Sequence, residues 1–320
     1  MTLNGMWFAL SQSSRWIAIL AVIGGSTSAM ANNVTVRTEA NEIIVRGDAA
    51  SNDISVSQNA NGNLVVTGNN GTRVNGRSSF TSSRRFVHVE ILMGSGDDIV
   101  RLQTLNVPGD LGVYLGPGNN EVIGTSMGNI VGRSLDIYGG NQRDSVSLAN
   151  WAVVGSIDID LFNGPSVVSV ESSIVGGSLD VYGGDEADSV TLTDVSVELD
   201  IDVESFGARD VINVSASDAR ALDIVAGSGS DSIDVSDVSL RTDLEILSGS
   251  GNDTVTVQTV SAERDVDVLL GSGNDLLSAT NLIAFRDLLL NGQAGNQDTL
   301  LEGGVEGFRE TEIFGFEIRN

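Results

Sequence analysis

Residues 222–284 read LDIVAGSGSDSIDVSDVSLRTDLEILSGSGNDTVTVQTVSAERDVDVLLGSGNDLLSATNLIA. One pattern occurs in it three times. An alternating apolar run (Leu222-Asp223-Ile224, Leu244-Glu245-Ile246, Val266-Asp267-Val268) leads into a glycine turn ended by an aspartate (Asp231, Asp253, Asp275). A second alternating run follows, as in Ile233-Asp234-Val235 and Val255-Thr256-Val257, then a third apolar patch, as in Val238–Leu240 and Leu282–Ala284. Apolar residues recur at every second position, the period of a strand with one buried face. The glycines supply the positive φ that tight corners demand. Three short strands and three corners in about 22 residues make one rung of a parallel β-helix. A helical solenoid needs longer runs at period 3.6, and a propeller blade needs roughly twice this repeat.

Outward from this stretch the phase persists. The turn-closing position falls at Asp98, Asn120, Asp144, Pro165, Asp188, Asp210, Asp231, Asp253, Asp275 and Asp298, at intervals of 21 to 24. The fold expected is all-β: a single-domain parallel β-helix of about ten rungs of roughly 22 residues over 91–300. At about 4.8 Å per rung the rod is roughly 45–50 Å long. A solenoid exposes core and strand edges at its ends, so caps are needed. Residues 32–90 (VTVR, EIIVRG, DISVSQ, LVVTG, FVHVEIL) supply the N-terminal cap and irregular first rungs, and 301–320, with Phe308, Ile313, Phe314, Phe316 and Ile318, the C-terminal cap. Residues 1–31 read as a signal peptide: Arg15, the apolar run Trp16–Ile23, and Ala29-Met30-Ala31, with cleavage near Ala31. The expected product is secreted, extracellular or at the cell surface, with no membrane span in the mature chain.

Composition narrows the chemistry. All 17 basic residues are Arg, against 43 Asp and Glu, and the resulting charge of −26 argues against nucleic acid as a partner. Absence of Cys removes disulfides, thiolate nucleophiles and thiolate metal sites, and one histidine, His88, cannot build a multi-His centre. At 41% apolar the chain still has material for a long core.

Stacking turns every repeat position into a column. Eight residues before the turn marker, between two inward apolar residues, stand Asp136, Asp180, Asp202, Asp223, Glu245 and Asp267, and Asp158 joins them once its shortened repeat is allowed for. Alternation points them outward, giving seven consecutive rungs a carboxylate on one exposed line. Unit charges about 4.8 Å apart repel by about 1 kcal/mol in water. Bound divalent cations, raised pKa values or interleaved Arg would relieve this; diffuse counterions on a solvated face are the plainer alternative.

The turns carry a second column. Gly94, Gly96 and Asp98; Gly227, Gly229 and Asp231; Gly249, Gly251 and Asp253; and Gly271, Gly273 and Asp275 spell Gly-x-Gly-x-Asp followed by an x-apolar pair. This resembles the haemolysin-type (RTX) calcium repeat, G-G-x-G-x-D-x-apolar-x. The resemblance implies calcium between stacked turns, held by carbonyl oxygens and by Asp98, Asp231, Asp253 and Asp275. The family's first glycine is replaced here by Met93, Ala226, Ser248 and Leu270, and its nine-residue tandem is absent. The alternative is that Gly and Asp simply make the corner, Asp bonding its own turn's amides.

The three tyrosines, Tyr114, Tyr138 and Tyr182, share a third column, a candidate sugar-stacking stripe or ordinary cross-strand packing. Arg133, Arg220, Arg264 and Arg286 gather near one corner and read as structural, shielding acids such as Asp265 and Asp287. His88 has no recognisable relay partner, and Trp151 reads as local packing. Lyase chemistry on uronates wants a cationic base, and this chain has no Lys. The carboxylate pairs that glycosidases use arise trivially in an acid ladder. The expectation is therefore a non-catalytic, acidic, exported rod serving as a cell-surface or matrix structural or adhesive component. Its expected cofactor is calcium, and its partners divalent cations, polysaccharide or other surface proteins. The alternative is a polysaccharide-binding or polysaccharide-degrading β-helix.

Overall fold

The computed structural model describes residues 32–295 and 297–319, so the expected signal peptide at 1–31 lies outside the described residues. The chain is a parallel β-solenoid of about ten turns with no helix among the described residues.

One sheet of 14 strands contains the short runs before each glycine turn: Leu111–Tyr114, Leu135–Tyr138, Ile157–Asp160, Leu179–Tyr182, Ile201–Glu204, Leu222–Val225, Leu244–Leu247 and Val266–Leu269. They pair in parallel and in strict register, Leu179 on Ile201 and Leu222 on Leu244, so each repeat position does form a column. Alternate residues, such as Leu179 and Val181, are buried, and the interleaved aspartates lie on the outer face.

A second sheet, of 18 strands, takes the rest of each rung. Here the two later runs often fuse into one bent nine-residue strand: Val167–Val175, Ser189–Val197, Ser232–Leu240, Thr254–Ala262 and Leu276–Ala284. In Ser189–Val197, Val190 and Leu192 are buried, then Val195 and Val197, so the alternation slips by one residue. The slip is made by one residue with positive φ, Asp194, matched in other rungs by Ser172, Asp237, Thr259 and Asn281. A strand that bends there keeps both halves pointed at one core. Asn and Asp accept this conformation more readily than Ser or Thr, and no glycine is needed.

At the N-terminal end the parallel stack gives way to antiparallel pairing. Glu42–Arg46 continues the first sheet in parallel beside His88–Leu92, then turns back against Asn33–Glu39. Asp53–Gln58 adds in parallel to Ile99–Gln103 and is followed by antiparallel Leu64–Gly68 and Ser79–Thr81. At the other end Thr299–Gly307 and Glu310–Phe314 each add one more parallel strand, and Phe308 stacks on Phe285, ring centroids 5.2 Å apart.

Candidate functional site

Three columns of carboxylates run along the rod, each solving the electrostatics differently. At the glycine turn the side chain points inward: Asp98, Asp144, Asp210 and Asp298 are 0% exposed, Asp253 1%, Asp231 and Asp275 2%. Ser166, not Pro165, holds the column in its rung, because Val167 pairs with Ser189. Each acid accepts, at Oδ1, the backbone N–H of the column residue one rung earlier. Asp210 donates to Asp231 (2.8 Å), Asp231 to Asp253 (2.9 Å), Asp253 to Asp275 (2.8 Å) and Asp275 to Asp298 (2.9 Å). Asn52 donates to Asp98 at one end, and Asp298 to Glu317 Oε2 at the other. The partner amide is thus not the turn's own, and it becomes a neighbour only after the rungs stack.

The glycines permit that stacking. A Cβ on Gly251 would strike the Gly229 carbonyl, and both residues have positive φ. Neighbouring turns are laced by Ser250 N–H to Gly227 O (2.8 Å) and Gly229 N–H to Ser250 O (2.7 Å).

Burial raises the pKa of this column. Asp98 is pushed up to about 7, and Asp188, Asp210, Asp231 and Asp275 to about 6, the accepted amide only partly offsetting the loss of water. Asp144, Asp253 and Asp298 are raised for the same leading reason.

Calcium at these turns fits poorly. The ion wants six to eight oxygens, with water free to complete its shell. Here Oδ1 is committed to an amide, Oδ2 is sealed from solvent, and turn carbonyls such as Gly227 O and Ser250 O already accept inter-rung amides. Among the described residues no group of three or more His, Cys, Asp or Glu side chains gathers as a metal-ligand set.

The second column is the outer ladder. Register places Asp136, Asp158, Asp180, Asp202, Asp223, Glu245 and Asp267 on seven consecutive strands. Except for Glu245 these side chains are half-buried rather than freely solvated. Burial first, then neighbouring carboxylates, pushes Asp136 up to about 6 and Asp223 to about 7; Asp158, Asp180, Asp202 and Asp267 also rise. Oδ1 of Asp158 and of Asp180 has no hydrogen-bond partner. The tyrosines flank this ladder. Tyr114 and Tyr138 stack on each other, centroids 5.3 Å apart, and Tyr138 donates to Asp158 Oδ2 at 3.3 Å. Those two ring faces are engaged with each other, which weakens the case for a sugar-stacking stripe.

The third column is the arginine corner. Arg220 grips Asp200; Arg264 reaches Asp243 (3.3 Å) and Asp265 (3.8 Å); Arg286 reaches Asp265 (3.6 Å). Arg309 pairs with Asp287, and Arg133 with Asp110 at 3.6 Å. These are struts between rungs. His88 is not isolated: its Nδ1 lies 3.1 Å from the Asp110 amide nitrogen and 3.0 Å from Asp110 Oδ2. Trp151 is 1% exposed and donates Nε1–H to Gly124 O at 2.6 Å.

Comparisons with protein-family models, with curated proteins and with solved structures found no match to this chain.

Proposed function

We propose that the chain is an exported, non-catalytic acidic rod that serves as a structural or adhesive component of a cell surface or extracellular matrix, with calcium taken up along its outer face. The observation that supports this is the outer ladder: seven carboxylates in unbroken register on the outer face, all but the exposed Glu245 half-buried. Hard cations prefer such oxygens, and the half-open face lets water fill the remaining positions. Because no three acids converge among the described residues, a cation here bridges neighbouring rungs two carboxylates at a time. The Gly-x-Gly-x-Asp turns keep their resemblance to haemolysin-type repeats in sequence, yet Oδ1 of each Asp already accepts an amide and Oδ2 is sealed from water. The calcium in this proposal therefore belongs to Asp158, Asp180, Asp202 and Asp223.

The test is a circular-dichroism melt in chelator, in millimolar calcium, and at matched ionic strength without divalent ions. The expected result is a calcium-specific rise in midpoint that disappears in D180N/D202N. An equal rise with sodium chloride would show screening alone and overturn the calcium assignment. The surface role is tested separately, by locating the chain in fractionated cells and culture medium. Recovery from the cytoplasm would refute it.

A further inference from the structure

The turn column contains two kinds of carboxyl group, and the backbone sorts them. At Asp144 and Asp188 the residues two and four positions earlier have ordinary negative φ, and the amide four back turns inward. Gly140 N–H reaches Asp144 Oδ2 at 2.6 Å and Gly184 N–H reaches Asp188 Oδ2 at 2.9 Å. At Asp98, Asp210, Asp231, Asp253 and Asp275 the corresponding pair has positive φ: Gly94/Gly96, Phe206/Ala208, Gly227/Gly229, Gly249/Gly251 and Gly271/Gly273. In all five, Oδ2 is buried and has no partner.

Asn120 shows what such a turn presents to that atom. Gly116 and Gly118 have the same positive-φ pair. The Asn120 carbonyl accepts the Asp98 amide, as each Asp Oδ1 does for its own neighbour. Its Nδ2, standing where Oδ2 would, donates to Gly116 O (3.0 Å), Gly118 O (2.9 Å) and Asp144 Oδ1 (2.9 Å). The atom's surroundings in such a turn are therefore acceptors; at Asp210 and Asp253 the hydroxyls of Ser205 and Ser248 also approach the carboxyl, but their protons are directed at Ala226 O and Leu270 O. The other substitution in the column agrees: Ser166 Oγ donates to Gly164 O, also two residues back, at 2.9 Å. An ionised carboxylate has nothing to donate there and would face those oxygens with a full negative charge.

We propose that Asp98, Asp210, Asp231, Asp253 and Asp275 are built into the rod as neutral carboxylic acids whose Oδ2–H donates to a carbonyl of their own turn, whereas Asp144 and Asp188 are carboxylates. Each of the five takes one proton from water as its rung closes. The titratable groups facing them oppose ionisation: Asp210 and Asp253 beside Asp231, Asp253 and Asp298 beside Asp275, Asp188 beside Asp210, Asp48 and Asp97 beside Asp98. Burial raises their pKa in the same sense. The inference is independent of the surface role and of calcium on the outer face.

Asparagine is the isostere of a neutral acid, so substitution separates the two classes by sign. In the full chain at mildly alkaline pH, D253N is expected to raise the midpoint by about 2 °C or more. D188N should lower it, because an amide group would then meet the Gly184 N–H. In infrared spectra near pH 5, the protonated-carboxyl C=O band should be weaker in D231N/D253N/D275N than in the parent. The proposal is overturned if D253N and D188N shift the midpoint in the same direction. It is equally overturned if the carboxyl band is unchanged, or if the triple variant abolishes a calcium-specific rise. Should the triple variant not fold, the single D253N decides both readouts.

Discussion

The glycine turn and the arginine corner each stack aspartates at the same 22-residue interval, yet they make opposite use of them. At the corner, Asp243, Asp265 and Asp287 stay partly exposed and meet guanidinium groups from adjacent rungs. At the turn, Asp231, Asp253 and Asp275 are buried and meet only backbone. A cation reaches one column and none reaches the other, so the first favours ionised acids and the second opposes them.

The sharpest break between the two regions comes from backbone volume. G251A puts a Cβ into the Gly229 carbonyl at a position of positive φ, and is expected to cost about 3 kcal/mol or more, read as a loss of midpoint in a urea melt. No substitution at the arginine corner should approach that. Next comes pH. A raised folded-state pKa means that the folded rod binds more protons than the unfolded chain between about pH 4 and pH 7. The stability these groups confer is complete below the unfolded value and is lost as pH rises through 6 to 7. Asp98, Asp210, Asp231 and Asp275 should each contribute on the order of 2 kcal/mol, and the melting midpoint should fall across that window. A midpoint that rises with pH there would contradict the assignment.

Smaller effects refine the contrast. D180N/D223N removes four adjacent-rung repulsions on the outer face and should stabilise the rod by at least about 1 kcal/mol in low salt. The gain should shrink as sodium chloride is added, because these side chains remain in contact with solvent. Smallest is the corner itself: R286A breaks an exposed pair with Asp265 and should cost at most ~1 kcal/mol in a thermal melt.

The rungs, their length and the two strands flanking each glycine turn could be read from the chain because a buried face imposes period 2 on the sequence. The outer ladder could be read for the same reason, and pairing of Asp180 with Asp202 and Asp202 with Asp223 places it as expected. The second corner was hidden. Its positive-φ residues, Ser172, Asp194, Asp237, Thr259 and Asn281, share no single residue type, so no local signature marks the bend. The repeat spacing puts the turn marker at Pro165, whereas Ser166 beside it holds the column. The inward aim of the turn aspartates was hidden too. Their partner amides lie some 22 residues away in sequence, so no local motif reports them.

Apart from Asp144, the amides of the turn column donate toward the same end of the rod, from Asn52 to Asp98 and, beyond Ser166, onward to Asp298 and Glu317. The column is vectorial. A rung removed from the C-terminal side leaves a buried N–H with no acceptor, whereas one removed from the N-terminal side leaves an oxygen with no donor, and orphaned buried N–H groups are the rarer of the two. Glu317, with one more methylene than the aspartates, reaches back to supply the last acceptor. Growth of such a stack is thus templated asymmetrically, each new rung completing the one before it.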